Sequence, residues 1–416
     1  MALLRILFFI LIVLFPLGEI TRFQLQNGVA IRLNDVLVCI VVLLWLLRRI
    51  HKRNVHLIFN DRIIQLLIIF YATGLFSLLL SISHLTITNF FVSFLFLLRF
   101  VSYTMLYAVA REFSEQDKKK IFFLLLFSGV IFLLVGFLQL QFYSDLANLS
   151  YLEWDNHVYR LFSSFFDPNF AGAFLVLLLI VFSAVAVRFL EERKKWQFCI
   201  SLFFVLITLS GMYLTYSRSA ILAMLAGMST LLILKGKNKI ILLLFASLVI
   251  AFLVFSKNFY IVNMNLLRVA SSEARIDSAQ TAISIIKQNI AFGVGFNAYK
   301  YAQVRYGFRK GTDVLKSHAD AGTDNSFLFV LATTGILGFI IYVGVLITIL
   351  KRAVQVLRFP KTSAFQKTIA IVIISSLVGL IVNAQFINSL FYPFILEWVF
   401  ILLGLMLPFS KLRESK

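Results

Sequence analysis

The chain has 416 residues, 61% of them hydrophobic and 14% charged, with a formal net charge of +20 at pH 7. A soluble domain carries about 25% charged residues, and one globular core cannot bury this excess of apolar side chains, so the composition excludes a soluble protein. The apolar runs last about 20 residues, as helical membrane spans do, whereas the strands of a membrane barrel alternate with period two. The sequence therefore predicts an all-α polytopic membrane protein.

Twelve apolar segments follow one another along the chain, which we interpret as a single integral membrane domain over residues 1–416. The first segment resembles a secretion signal but lacks a small-x-small cleavage site, which favours a retained span. About twelve transmembrane helices are predicted, at residues 3–17, 29–47, 63–82, 88–110, 120–141, 169–188, 197–214, 219–234, 239–256, 326–350, 368–388 and 391–409.

Basic links alternate with links that are poor in Lys and Arg. The positive-inside rule assigns the basic links to the cytoplasm, and the even number of spans then puts both termini there as well. The net charge is therefore a topology signal and an attraction to anionic lipid heads, so it needs no nucleic-acid partner. The basic links are residues 48–62, 111–120, 191–195, 235–239, 351–361 and the tail 411–416.

The longest link is the outward loop 257–325, which is more polar than the rest of the chain. It contains a helix-like amphipathic piece, SSEARIDSAQTAISIIKQNI, in which Ile283, Ile286 and Ile290 fall on one helical face. Such a piece lies on the membrane or caps a cavity beneath it. Long ordered loops on a rigid scaffold often carry function, so this loop is the first place to look for a site.

Three arginines lie near membrane mouths on the side that the positive-inside rule depletes of cations: Arg160, Arg218 and Arg275. The planar guanidinium fork suits bidentate contact with phosphate, so together they would form a receptor for a lipid-linked diphosphate. Each arginine could instead extend to lipid heads or cap a helix end.

Asp324 and Asn325 stand where the polar loop meets the tenth apolar segment. Asp324 either caps the helix that begins there or orients and deprotonates a sugar hydroxyl. His318 is an alternative base, because its unperturbed pKa lies near neutrality. Asn325 is a candidate for substrate binding.

Other charged residues at or within the spans have structural explanations. Asp167 can cap the sixth span, with Pro168 in its first turn. Arg99 falls in the middle of a span, and Glu397 is a conceivable partner. Intramembrane charges are costly, so this pair is either functional or a structural ion pair between spans.

The sequence has no P-loop, no dinucleotide fingerprint and, on the outward side, no DxD or HExxH spacing. We therefore predict no metal and no nucleotide cofactor. Cytoplasmic nucleotides are also absent outside the cell membrane, so a bond made there would draw its energy from the substrate.

Four stretches in the outward half resemble the O-antigen ligase and O-antigen polymerase superfamily, a resemblance that covers residues 155–345. The stretches are RLFSSFFDPNFAG (160–172), TYSRSAILAMLAG (215–227), EARIDSAQTAISIIKQNIAFGVGFNAY (273–299) and DNSFLFVLATTGILG (324–338). Each motif is loose, and their order and spacing give the resemblance its specificity.

The resemblance implies roles for single residues. Ligases of the superfamily have His, then Asn or Ser, then nine residues and Gly-x-x-Gly; here Asn325, Gly335 and Gly338 match, but Asp324 replaces the histidine. This departure favours a polymerase. The guanidinium groups at positions 218 and 275 match arginines that are taken to hold the diphosphate in the family, and the one at 160 matches a motif of less settled role.

The resemblance implies a metal-independent, inverting glycosyltransferase in the bacterial cytoplasmic (inner) membrane. It would polymerise undecaprenyl-diphosphate-linked oligosaccharide repeat units of an O-antigen, capsule or exopolysaccharide at the outer face. Its partners would be those glycans, membrane lipids, and chain-length regulator and flippase proteins. One alternative is an O-antigen ligase that transfers the finished glycan to lipid A core or another acceptor. A second is a flippase or transporter, although the sequence lacks the repeated halves with broken helices that are typical of transporters.

Overall fold

A computed structural model describes residues 1–25, 29–152, 154–237, 269–309 and 322–406. The described chain is built mostly of α-helices. They are α1 Ala2–Leu14, α2 Leu33–His51, α3 Arg62–Leu80, α4 Ile87–Arg111, α5 Glu115–Phe142, α6 Pro168–Glu191, α7 Lys195–Leu214, α8 Arg218–Leu234, α9 Val269–Gln288, α10 Tyr299–Arg305, α11 Ser326–Arg358, α12 Ala364–Asn383 and α13 Pro393–Leu405.

Short elements connect these helices. A two-residue antiparallel hairpin, β1 Phe23–Gln24 and β2 Ala30–Ile31, precedes α2. The 3₁₀ helices are Phe15–Thr21, Val55–Asn60, Ile82–His84, Ala147–Leu152, Ser163–Phe165 and Ser389–Phe391.

The all-α membrane class is confirmed, because eight helical segments in the described residues are long and apolar enough to cross a membrane. The helices α8 and α13 are shorter apolar helices, and α2 occupies the second predicted span. The predicted span 239–256 lies outside the described residues. The count of twelve therefore stays a prediction, although each of the other eleven segments contains a helix.

Within the described residues, five of the predicted basic links contact one another, at what we call the basic end of the bundle. Asp61, before α3, accepts hydrogen bonds from Arg111 at the end of α4 and from Nη1 of Arg352 in α11, the latter at 2.9 Å. Lys235 after α8 pairs with Glu191 at the end of α6, 2.7 Å away. The opposite end, where α6, α8 and α11 begin and α12 ends, is the site end.

The helix α6 is the central element, with nearly all of its side chains buried between α7, α8 and α12. At the site end its core is aromatic: Phe165 stacks on Phe394 with ring centroids 4.9 Å apart, and Phe174 meets Trp398 edge-on at 4.9 Å. Large rigid rings bury much area with few torsions to fix, so this cluster gives the helix ends fixed positions.

The predicted pair between Arg99 and Glu397 is wrong. Nη2 of Arg99 donates to Oδ2 of Asp35 at 2.9 Å, whereas Oε2 of Glu397 accepts from Nδ2 of Asn34 at 3.0 Å. The start of α2 lies between α4 and α13, so two consecutive α2 residues supply one partner to each helix. These contacts fit the structural alternative, in which the charges join spans.

The helix α11 is broken at Gly335, whose φ of +67° leaves the helical region. Glycine reaches this conformation without strain. The loop after α9 fills the break: the N–H groups of Val294 and Gly295 donate to the carbonyls of Ala332 and Thr333, at 2.9 and 3.2 Å. A broken helix was not predicted, and the protein's own loop satisfies the carbonyls that the break releases.

Candidate functional site

Arg160 lies at the site end, 3% exposed, and holds the turn between α7 and α8. Its Nε donates to the carbonyl of Thr215 at 2.9 Å, and its Nη2 lies 3.5 Å from the carbonyl of Tyr216. Buried carbonyls in a turn need donors, and a guanidinium supplies several in a fixed fork. The guanidinium therefore fixes the turn from which α8 and Arg218 begin.

Asn169 links the starts of α6 and α8. Its Oδ1 accepts from Oγ of Ser217 at 3.2 Å and lies 3.5 Å from Nη2 of Arg160. The two helices approach closely here because Gly172 has no side chain: a Cβ would lie 2.9 Å from that of Ala220. The predicted motifs 160–172 and 215–227 thus meet in one buried polar junction.

Asp167 caps α6, as predicted, with Pro168 as the first helical residue. Its Oδ1 accepts from the N–H groups of Asn169 and Phe170, at 2.6 and 3.3 Å. Arg218 is the first residue of α8 and is half-buried. Helix starts at one end of the bundle therefore present a carboxylate from α6 and a guanidinium from α8.

The helix α9 packs against the first turns of α11. Its buried face consists of Ala282, Ile285 and Ile286, which contact Ala332 and its neighbours on α11. The prediction grouped Ile283, Ile286 and Ile290 on one face, but only Ile286 of these is buried. Ala282 and Ile285 pack against α11 with Ile286 instead, so Ile283 and Ile290 are left exposed beside the buried face.

The two helices run side by side in the same direction. The N–H of Asp324 donates to Oγ of Ser278 at 3.4 Å, and the N–H of Ile336 donates to the carbonyl of Ile290 at 2.8 Å. Both bonds join residues of equal separation along the chain, so the segments are aligned in parallel. This alignment brings Arg275, one turn before Ser278, level with the start of α11.

The charges around Arg275 are the main finding at the site. Burial lowers the pKa of its guanidinium, the carboxylate of Asp324 raises it, neighbouring Arg218 lowers it, and the carboxylate of Asp167 raises it. Asp324, Arg218 and Asp167 are thus each near enough to act on the charge of Arg275, which is half-buried. We call Asp167, Arg218, Arg275 and Asp324 the charge cluster.

Asn325, rather than Asp324, caps α11, so the predicted Asp324 cap is wrong. Oδ1 of Asn325 accepts from the N–H groups of Phe327 and Leu328, at 2.8 and 3.0 Å. The helix begins one residue late because the N–H of Ser326 is tied to the carbonyl of Ala384 at the end of α12, 2.9 Å away. The carboxylate of Asp324 is therefore not engaged in capping.

The amide of Asn325 also reaches α12. Its Nδ2 donates to the carbonyl and to Oε1 of Gln385, at 3.3 and 3.2 Å. The side chain thus ties two helices together, while its predicted contact with substrate stays a prediction.

The other predicted base, His318, lies outside the described residues. Among the residues that are described, no three His, Cys, Asp or Glu side chains lie close enough together to hold a metal ion. The sequence predicted only a capping role for Asp167 and not its effect on the charge of Arg275. Its place in a motif shared with Arg160 was the available signal.

Residues 202–343 match the family model described as O-antigen ligase. The resemblance to the O-antigen ligase/polymerase superfamily is confirmed. No curated protein matches this chain.

The region matched to the superfamily contains three members of the charge cluster, Arg218, Arg275 and Asp324. It ends within α11, after the break at Gly335. The predicted motif at 160–172 precedes the matched region, although the structure joins it to α8. The membrane-spanning chain is therefore similar, over the matched region, to proteins that process membrane glycans.

Proposed function

We propose that this protein is a metal-independent, inverting glycosyltransferase that polymerises undecaprenyl-diphosphate-linked oligosaccharide repeat units. One observation carries the proposal: two arginines and two carboxylates from four separated stretches share one charge cluster at the site end. The arginines can stabilise the negative charge of a leaving diphosphate, and a carboxylate can accept the proton of an acceptor hydroxyl.

Arg218 and Arg275 hold the donor diphosphate. Two like-charged guanidinium groups beside each other repel, and a dianionic ligand between them relieves that repulsion. Because the cations are half-buried, they stabilise charge on the leaving group more strongly than exposed residues would. No cytoplasmic nucleotide is required, since the diphosphate bond already activates the sugar.

Asp324 acts on the acceptor. An acceptor hydroxyl oxygen attacks the anomeric carbon from the face opposite the diphosphate, and its proton passes to the Asp324 carboxylate. The bond from the anomeric carbon to the diphosphate oxygen breaks, and the leaving oxygen keeps the electron pair beside the guanidinium groups. The products are a lengthened lipid-linked glycan and free undecaprenyl diphosphate.

Arg160 and Asn325 support the site from behind. Arg160 fixes the turn that starts α8, and Asn325 fixes the start of α11, so each holds one reacting group in place. Pre-organisation of this kind lowers the reorganisation that the reaction would otherwise require. Asp167 partly balances the charge of Arg275.

The proposed polymerisation also implies an orientation of the protein in the membrane. Lipid-linked repeat units are polymerised where the chain grows, so the site end faces the outer side of the cytoplasmic membrane. The basic end and both termini then lie in the cytoplasm, in agreement with the charge bias of the links. Chain-length regulator and flippase proteins would act beside the polymerase.

The ligase is the second candidate, because the matched family is described as O-antigen ligase. It uses the same donor and transfers the finished glycan to lipid A core or another acceptor. The replacement of histidine by Asp324 in the ligase motif favours the polymerase.

Deleting the gene and separating the surface polysaccharide on a gel distinguishes the two. Loss of a polymerase leaves single repeat units, whereas loss of a ligase leaves long lipid-linked chains that never reach their acceptor. Unchanged polysaccharide would contradict both. Complementation with an Arg275→Ala variant, at equal membrane level, assigns the phenotype to the charge cluster.

A flippase is the alternative from another class. Broken helices in transporters free backbone groups for ions or substrates. The break at Gly335 is instead filled by Val294 and Gly295, which favours a structural role for it. A flippase would also move lipid-linked units without forming a glycosidic bond.

A further inference from the structure

Isoleucines line one exposed flank of α9 and the turn that follows it. Ile276 and Ile283 are 55% and 43% exposed and lie seven residues apart, which puts them on nearly the same side of the helix. Ile290, in the turn after the helix ends at Gln288, is 57% exposed. They are not part of the buried face that meets α11. Exposing large aliphatic side chains to water is unfavourable, because the free energy of burying their apolar surface is not gained.

The other flank of the same helix is polar. Asp277 is exposed, Ser284 is half-buried and Gln288 is exposed, and they lie across the buried face from the isoleucines. Thr281 lies between them. A helix with a packed face, an aliphatic flank and a polar flank is suited to the boundary between acyl chains and water.

The isoleucine flank is continuous with the surface that faces lipid on two spanning helices. The carbonyl of Ile290 bonds to Ile336, which begins the spanning part of α11 after the break and is 42% exposed. Phe292 lies edge-on to Phe76 of α3, with ring centroids 5.3 Å apart, and both rings are exposed. Ile340, one turn farther along α11, continues the same apolar belt.

We propose that α9 and the turn after it form an interfacial segment whose isoleucine flank, Ile276 and Ile283 in the helix and Ile290 in the turn, inserts among the acyl chains of the leaflet at the site end. The bilayer is the partner because the flank joins the exposed apolar surface of two spanning helices, and because the polar flank lies about 100° away from it around the helix. The insertion of this flank does not depend on which reaction the charge cluster performs.

This insertion fixes the depth of Arg275. The guanidinium precedes Ile276 and lies on the side of the helix that faces Asp324, so an inserted helix holds it at the level of the lipid headgroups. A phosphate attached to a membrane lipid sits at the same level. The interfacial helix therefore presents the cation where a lipid-bound anion arrives by lateral diffusion.

Spin-label accessibility tests the insertion. Cys39 and Cys199 are free and exposed, so both are first replaced by serine. Single cysteines are then introduced as Ile283→Cys and Ile290→Cys, with the matched controls Ser284→Cys and Gln288→Cys on the polar flank. The labelled full-length proteins are reconstituted into vesicles of phosphatidylethanolamine and phosphatidylglycerol, and collisions with oxygen and with a water-soluble nickel chelate are measured.

We expect the oxygen-to-nickel collision ratio to be several-fold higher at positions 283 and 290 than at 284 and 288, because oxygen concentrates in acyl chains and the chelate stays in water. Equal ratios on the two flanks would overturn the proposal. So would inaccessibility of positions 283 and 290 to both reagents, which would mean that protein covers them. Monodisperse elution and unchanged helix content in circular dichroism establish that each variant is folded.

Discussion

The backbone N–H of Asp324 donates to the side-chain oxygen of Ser278, 3.4 Å away, and so ties the start of α11 to the helix that carries Arg275. These two residues are 46 positions apart, and both belong to the polar outward loop 257–325. The bond places a carboxylate and a guanidinium at the same end of the bundle. That relationship underlies the predictions below.

Replacing either cation of the charge cluster is expected to stop chain growth. Removal of a pre-organised group that stabilises a developing charge lowers kcat by about 10²–10³-fold. We predict a loss of this size for Arg218→Ala and for Arg275→Ala, measured as repeat units added by purified protein. The matched control is Arg305→Ala, an exposed arginine that stacks on Tyr306, and it should retain wild-type chain length. Near-normal growth in both cluster variants would refute the assigned role.

Asp324 and Asn325 should separate catalysis from stability. Because Asn325 provides the cap, Asp324→Asn should leave the melting temperature unchanged while lowering activity by about 10²–10⁴-fold, the usual contribution of general base catalysis. Asn325→Ala should destabilise the protein by about 1 kcal/mol, whereas Asn325→Asp keeps a capping oxygen. Thermal unfolding in detergent and chain-growth assays on the same samples measure both effects. An active Asp324→Asn variant would remove the proposed base.

Asp167→Asn tests the second carboxylate. Asparagine caps helices as well as aspartate does, so the stability of α6 should not change. The variant loses the negative charge that acts on Arg275, and we expect a several-fold change in the KM for the lipid-linked donor with little change in melting temperature. Identical KM values for the variant and the wild type would mean that Asp167 serves only as a cap.

The pH profile of Arg275→Lys should differ from that of the wild type on the alkaline side. Burial lowers the pKa of the cation at this position, with the carboxylate of Asp324 opposing and Arg218 adding to the shift. A cation with a lowered pKa loses its charge as pH rises, and lysine starts from about 10.4 whereas arginine starts above about 12. Activity of the variant should therefore fall at a lower pH than that of the wild type. Superimposable alkaline limbs would indicate that the charge at position 275 does not act in the reaction.

Gly335→Ala should destabilise the protein. With φ at +67° and ψ at −171° the backbone conformation is essentially restricted to glycine and costs another residue about 1–3 kcal/mol, and the new methyl group would overlap the backbone of Ala291. The matched control is Gly344→Ala in the same helix, where no atom lies within 4 Å of the new Cβ. We expect a clear fall in melting temperature for the first variant and an unchanged or higher value for the second. Equal melting temperatures would mean that the break is not required.

Much of the fold follows from the sequence because the solvent is lipid. In lipid every backbone polar group must be satisfied within the segment, so an apolar run of sufficient length has one solution, the helix. The positive-inside rule likewise predicted that the basic links lie at one end of the bundle. A helix cap was predictable where a single residue at the helix start had a side chain suited to N-capping, as at Asp167. At the start of α11 two adjacent residues could cap, and only the contact between Ser326 and Ala384 decides between them.

Contacts between distant segments were not predictable from the sequence. Glu397 was a plausible partner for Arg99 by sequence, but the actual partner is Asp35. This pairing depends on how α2 enters the bundle, which cannot be predicted from local sequence. The break at Gly335 likewise requires the loop that fills it, since a single glycine in an apolar helix is usually tolerated. The grouping of Arg218 with Arg275 was inferred from the chemistry of diphosphates, whereas the position of Arg160 behind the turn emerged only from the fold.

The central claim is that the charge cluster joins lipid-linked repeat units through departure of a lipid diphosphate. The most direct measurement incubates the purified protein in detergent with synthetic undecaprenyl-diphosphate-linked repeat units, without nucleotide, and separates the products by mass. We predict a ladder of longer lipid-linked glycans and one free undecaprenyl diphosphate for every new linkage, with neither product formed by Arg275→Ala. Recovery of the starting units with no new glycosidic bond, from protein shown to be folded, would contradict the account.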